Sequence, residues 1–530
     1  MGKRIVRSAC RGCHGGCGVL VKVEDNQVKG ITGDPESPIN RGKLCIKGVY
    51  YHTITHQPLR LTHPLRRKNG GWEKIGWGEA LREISDRFLA LREKFGAESV
   101  VLGYGTGRDN ESFIYRFANL FGTPNVLTAG HMCYGPRITT GIVRCGNLPV
   151  VDYEGQPGMV LAWGANPIVS NPDEYKGFDL AETLKKGARL AVVDPRRTFL
   201  ARRADLWLAL RPGTDGALAW GIINAIIEHG WYDRDFVRDY VHGWEEFQER
   251  AKAYPLSWAA ELTGLSEEEI TRAAELYTQS GPAGIHWGVA LEQSKNCINN
   301  ISLLISLMAI SGNLDRPGGN VFYPRPPVIS ASHIGLHRRL ANQGRRLGGD
   351  RFRLADMIGV INPRAVWEAI LEEKPYPVKA LFLISTNPVI TRANARQVRA
   401  ALKKADFLVV ADFFMTPTAR EADIVLPSAT WLEHDYVADS WKRHGYALAR
   451  QKSVQVGQAR SDYEILNELG KMCTDPADWW PTMKEALSYM LSPSGLSWEE
   501  FCVRGYLKGE RTFRKYRREG FSTPTKKVEL

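Results

Sequence analysis

The chain has 530 residues, too many for a single hydrophobic core, so several domains are expected. With 43% hydrophobic and 24% charged residues the composition is that of a globular protein, and no apolar run reaches the length of a membrane span. The net charge of +12 comes from scattered groups such as Arg66-Arg67 and Arg196-Arg197, which disfavours nucleic acid and leaves two readings, a solvated basic surface or a site for a cofactor with several phosphates.

The first cysteine stands within ten residues of the N-terminus, leaving no room for a signal peptide or twin-arginine segment, so a cytoplasmic location is expected. Four of the nine cysteines fall in the first 45 residues, which argues against a disulfide framework and for one dedicated thiol site. Cys10, Cys13 and Cys17 are two and three residues apart, and Cys45 follows after 27 more. Gly12, Gly15, Gly16 and Gly18 let the backbone curl and aim amides at sulfur. Four cysteines suit either tetrahedral zinc or an iron–sulfur cube, and the three-plus-one spacing favours the cube. Lys47 lies two residues beyond Cys45, as a solvated side chain or a bridge to an anionic redox partner.

Cys-x2-Cys-x3-Cys…Cys-Ile-Lys-Gly, followed by Pro64-Leu65 and Trp72-Glu73-Lys74-Ile75-Gly76-Trp77, resembles the opening of molybdopterin oxidoreductases of the dimethyl sulfoxide reductase type. The resemblance implies one [4Fe–4S] cluster on Cys10, Cys13, Cys17 and Cys45, with Lys47 between cluster and pterin. It also implies two pterin guanine dinucleotides holding molybdenum or tungsten. The implied fold is α/β: a small cluster domain over 1–58 and two doubly wound domains related by a pseudo-repeat. One of these spans 59–132 and 324–440, the other 133–323, each binding one dinucleotide. Residues 441–530 are expected to return to the cluster domain.

Leu81, Ile84, Phe88, Leu91 and Phe95 step by three and four, an amphipathic helix closed by Gly96. A strand from Val100 to Leu102 runs into Gly103, Gly105 and Gly107, which reads as a phosphate loop or a plain tight turn. Cys133 follows in Gly130-His131-Met132-Cys133-Tyr134-Gly135-Pro136-Arg137. A lone cysteine is usually a small buried hydrophobe. In the family resembled, the protein ligand to the metal follows an Asn-Val segment, here Asn125-Val126. That implies Cys133 as the soft thiolate ligand, with His131, Tyr134 and Arg137 as candidate pocket residues. Cys145, Cys297, Cys473 and Cys502 have no such setting and are expected to be structural.

Short apolar runs then alternate with helical patterns, the mark of a parallel doubly wound sheet. Met159 to Trp163 ends at Asn166-Pro167, and Leu190 to Val193 at Asp194-Pro195-Arg196-Arg197-Thr198. Leu381 to Ser385 ends at Asn387-Pro388, and Phe407 to Val410 at Asp412. The order repeats, with 28 residues from Asn166 to Asp194 and 25 from Asn387 to Asp412, so two nucleotide sites at the carboxyl ends of the strands are expected. Taken singly, each turn is ordinary punctuation.

Arg211-Pro212-Gly213-Thr214-Asp215 opens a further helix, which Thr214 or Asp215 is able to cap, and Ile301 to Ile310 reads as a core helix. The resemblance gives Asp194, Arg196, Thr198, Gly213 and Asp215 to one dinucleotide. It gives Asn387, Pro388, Asp412, Thr416 and Asp423 to the other. Gly312-Asn313 and Pro317-Gly318-Gly319-Asn320 form a further family signature.

Formate dehydrogenases of this family carry His directly after the ligand, where Tyr134 stands here. Lys374-Pro375-Tyr376-Pro377-Val378-Lys379-Ala380 and Phe414-Met415-Thr416-Pro417-Thr418-Ala419 resemble the acetylene hydratase branch. That branch needs Asp after its second cluster cysteine, where His14 stands here. The function expected is two-electron chemistry on a small-molecule substrate, coupled through the cluster to an iron–sulfur electron-transfer subunit. The alternatives are a non-redox hydratase or transhydroxylase and a non-catalytic relay subunit. The chain stops at Thr523-Pro524-Thr525-Lys526-Lys527-Val528-Glu529-Leu530, where the family leads into a last pterin-covering domain, so the expectation is either a separate polypeptide supplying that domain or a fragment of a longer chain.

Overall fold

A computed structural model describes residues 2–106, 110–170, 176–337, 345–439 and 445–530. Its contacts divide the chain into two compact units, Met1–His131 with Arg325–Gly509, and Met132–Pro324 with Glu510–Leu530. The segment expected over 441–530 divides between the two units. Residues 445–509 stay in the first unit, where the strand Tyr446–Arg450 packs on Arg4–Ala9. Residues 510–530 belong to the second, because the strand Val528–Glu529 pairs in parallel with Val241–His242.

The first unit opens with an antiparallel sheet of Arg4–Ala9, Gly18–Glu24 and Gln27–Gly33. Its main sheet runs in the order Gly71–Lys74, Leu65–Lys68, Ile424–Pro427, Phe407–Asp412, Ala380–Ile384, Val100–Tyr104, Val126–Leu127. The last five strands are parallel to one another. Strand Ala380–Ile384 is buried at all five positions, as a strand covered on both faces must be. On one face Leu381, Leu383, Leu408 and Val410 join a core with Val366, Ile370 and Leu402. On the other, Phe407 meets Phe88 of the helix Trp77–Phe95 edge to face at 6.0 Å. The glycines after Val100–Leu102 serve packing. A Cβ on Gly105 would stand 2.2 Å from Ser385 O, so the turn lies flat against the neighbouring strand end. Gly107 lies outside the described residues.

The second unit holds a four-stranded parallel sheet, ordered Leu206–Leu208, Arg189–Val193, Met159–Trp163, Ala283–Trp287. The helices Asp215–Glu228, Glu267–Gln279 and Cys297–Ile310 build its main core. The glycine- and asparagine-rich signature completes the sheet edge. Asn313 Oδ1 accepts from Ala283 N at 3.0 Å, and Asn320 Oδ1 accepts from Ile285 N at 2.8 Å, so two amides replace a missing strand.

The pseudo-repeat recurs in three sets of turn hydrogen bonds. Asn166 O accepts from Val169 N and Ser170 N at 3.1 and 3.0 Å; Asn387 O accepts from Ile390 N and Thr391 N, both at 3.0 Å. Thr198 Oγ1 accepts from Ala201 N at 3.1 Å and Thr416 Oγ1 from Ala419 N at 3.2 Å. Asp205 Oδ2 accepts from Leu190 N and Asp423 Oδ2 from Leu408 N, each at 2.8 Å. Two stretches of different sequence thus carry one backbone design, because the same polar types recur at the same offsets.

Candidate functional site

The cysteine loop closes on itself through Cys10 N donating to Cys17 O at 2.8 Å. Gly12 N points at Cys10 Sγ at 3.3 Å and Gly15 N at Cys13 Sγ at 3.4 Å, donors that stabilise thiolate. Cys10 and Cys17 are buried, Cys13 and Cys45 half-buried. Burial pushes the Cys10 thiol up and the Cys13 thiol up to about 11. The charges of Cys10, Cys45 and Lys47 also act on Cys13, so these three sulfurs and the lysine share one neighbourhood, and the Cys10–Cys17 backbone bond ties the fourth cysteine to the same loop. Among the described residues no three His, Cys, Asp or Glu side chains close on a single-ion position. Four clustered thiols with amides aimed at sulfur are a donor set that fits a multi-iron cluster, whose binding supplies the charge that expels the thiol protons. His14 Nε2 lies 3.4 Å from Thr106 O, at the carboxyl end of strand Val100–Tyr104.

At that same edge of the first unit, Asp412 Oδ1 accepts from Phe413 N at 2.6 Å, and burial with the nearby Asp462 charge pushes its carboxyl up to about 6. Asn387 Oδ1 accepts from Thr418 Oγ1 at 2.6 Å, bracing the two turns against each other, and Pro388 opens a short helix. Asp462 ties the edge together, accepting from Asn110 Nδ2, Ser385 Oγ and Ser428 Oγ at 2.8, 3.0 and 2.7 Å. Sequence reasoning missed it; its signal was the Ser461 cap that starts helix Asp462–Cys473. Asp423 is corrected. It precedes strand Ile424–Pro427 and bonds the start of Phe407–Asp412, so it stands at the amino edge of the sheet, opposite Asp412. His131 also belongs to this unit. Its Nδ1 donates to Thr128 O at 3.0 Å, and burial, with the Arg392 charge, lowers its pKa to about 4. Arg392 was not foreseen, and its Nε is buried without a hydrogen-bond partner.

In the second unit, Asn166 follows strand Met159–Trp163 with its Oδ1 buried and unbonded, and Pro167 opens the next helix. A buried amide oxygen left open at the carboxyl end of a parallel strand is an acceptor for a nucleotide donor. Asp194 Oδ1 accepts from Arg196 N at 2.8 Å, while the Arg196 side chain stays exposed. Gly213 takes the left-handed conformation at φ 86° and leaves the space around its Cα open. Asp215 Oδ1 accepts from Trp163 Nε1 at 2.8 Å, which fixes the start of helix Asp215–Glu228 beside the strand end.

Cys133 is half-buried in the turn before helix Gly135–Cys145. Tyr134 is left-handed at φ 52°, a conformation that costs a non-glycine residue about 1 kcal/mol or more. Its ring lies 4.2 Å from the Arg137 guanidinium, which also faces the Trp287 ring at 5.0 Å. Arg137 pairs with Glu292, a buried acid unseen from sequence, as a single carboxylate in a loop gives no periodic signal.

Comparison with known proteins closes the case. The profile described as "Molybdopterin oxidoreductase Fe4S4 domain" matches residues 3–57, and "Molybdopterin oxidoreductase" matches 60–472. Acetylene hydratase of Syntrophotalea acetylenica is 33% identical, over 98% of this chain and 76% of its own length. The F420-dependent formate dehydrogenase subunit alpha of Methanocaldococcus jannaschii is 30% identical, over 88% of this chain and 70% of its own length. The solved acetylene hydratase from Pelobacter acetylenicus superposes with a TM-score of 0.93 at 31% identity, covering 99% of this chain and 77% of that one. No helix among the described residues is long and apolar enough to cross a membrane. The chain belongs to the molybdopterin oxidoreductase family, an enzyme with a [4Fe–4S] domain and a molybdopterin domain for molybdenum or tungsten.

Proposed function

We propose that this enzyme carries out two-electron chemistry on a small substrate, with Cys133 as the protein ligand to the metal. Molybdenum or tungsten between two pterin dinucleotides supplies the redox or Lewis-acid chemistry when bound. The chain's own residues hold and orient. Asp194, Arg196, Gly213 and the open Asn166 amide take one dinucleotide, and Asn387, Asp412 and Thr416 take the other. Cys10, Cys13, Cys17 and Cys45 would hold the cluster, with Lys47 beside it on the pterin side, and the cluster would supply one-electron exchange with an iron–sulfur partner subunit. The reading places the enzyme in the cytoplasm, where a reducing setting preserves thiolates.

The observation that carries this reading is the half-buried Cys133 thiol, presented on a left-handed turn at a helix start. Metal analysis of anaerobically purified protein is expected to give one molybdenum or tungsten and about four irons per chain. Cys133→Ala is expected to change or abolish the spin-resonance signal of the heavy metal while leaving that of the cluster intact. Loss of the cluster signal instead refutes the assignment.

A non-redox hydratase is the second reading, supported by 33% identity to acetylene hydratase over 98% of the chain. His14 is placed where that branch has its acid, and it contacts Thr106 O. Acetaldehyde formed from acetylene without an electron acceptor selects this reading; reduction of a viologen dye by a substrate selects the first.

A further inference from the structure

Buried polar atoms are nearly always hydrogen-bonded, so each exception asks for an explanation. Two exceptions lie around one guanidinium in the second unit. Arg137 directs both Nε and Nη2 at Oε1 of Glu292, and donates from Nη2 to Trp287 O at 3.3 Å. An arginine usually grips both oxygens of a carboxylate in a fork. Here Glu292 Oε2 is left buried with no partner, and so is Trp287 Nε1. Neither residue is more than 5% exposed.

The chemistry of the two open atoms is complementary. A carboxylate oxygen only accepts, and an indole N–H only donates. They do not bond each other, since both lack a partner. Both lie beside the same Arg137 guanidinium, and an O–H group between them would accept from Trp287 and donate to Glu292. The Arg137 and Glu292 charges cancel across their contact, so the spot favours a neutral group over an ion.

We propose that Glu292 and Trp287 form a hydroxyl-binding subsite that takes water or the hydroxyl of an alcohol-type substrate. The Tyr134 ring under Arg137 links it to the residue that follows Cys133. Its role in turnover rests on the reading of Cys133 as metal ligand; the binding itself does not.

The test is an anaerobic crystal structure of the metal-loaded enzyme, alone and soaked with methanol. One ordered oxygen is expected within about 2.7–3.2 Å of both Glu292 Oε2 and Trp287 Nε1. Methanol taking that position marks a subsite open to substrate hydroxyls; water retained there marks a subsite for water alone. No oxygen bonded to both atoms, or either atom paired with other protein groups, overturns the proposal. The same map shows separately whether Cys133 Sγ ligates the metal, so the two readings fail independently.

Discussion

The aspartates show how one residue type takes different work from its position. Asp423 and Asp205 occupy equivalent places and each accepts a strand amide, from Leu408 N and Leu190 N at 2.8 Å. Asp423→Ala leaves the Leu408 amide unpaired in a residue 1% exposed, and an unsatisfied buried donor costs about 1–3 kcal/mol. Denaturant unfolding is expected to show a loss of that size, with metal and pterin per folded chain unchanged. A selective loss of cofactor would restore Asp423 to the binding set. Asp412 ends strand Phe407–Asp412 and Asp423 precedes strand Ile424–Pro427, and only the parallel pairing of the two strands sets these aspartates at opposite edges of the sheet. The asparagines divide in the same way: Asn387 is engaged by Thr418, while Asn166 keeps an open oxygen.

Strands and helices were the legible elements. Met159–Trp163 is a strand over the span its apolar run marks, and Gly96 ends the helix that starts at Trp77. The turns were legible as turns, and their internal bonds were not. At the carboxyl edge of the first unit's sheet, Asp412 is raised from its ordinary 3.8 to about 6 by burial, with Asp462 adding repulsion. The ionised form is the one the fold penalises. The penalty is absent below pH 3.8, grows as pH rises, and is complete above about 6. A shift of this size amounts to about 3 kcal/mol as an order of magnitude. Asp412→Asn is therefore expected to stabilise the cofactor-free protein at pH 7 and to flatten its stability between pH 4 and 6, followed by urea unfolding across that range. An unchanged pH profile would show that Asp412 ionises as freely folded as unfolded.

For the whole molecule, the N-terminal cysteine loop and the sheets are separate stability problems. Cys45 precedes the short helix Ile46–Val49, away from both main α/β cores. Cys45→Ala is expected to lower iron from about four per chain towards zero and erase the cluster's spin signal, while far-ultraviolet dichroism keeps its α/β form. Full iron retention would remove Cys45 from the ligand set. The sequence by itself determined the cysteine spacing, the parallel α/β class and the doubled order of turns, because these follow from local periodicity and from residue types at fixed offsets. Only the tertiary structure decided that Asp423 faces away from Asp412, that Gly105 serves strand packing, and that Glu292 pairs with Arg137 across 155 residues. Long-range pairing depends on where the chain returns in space, and no local pattern encodes that return.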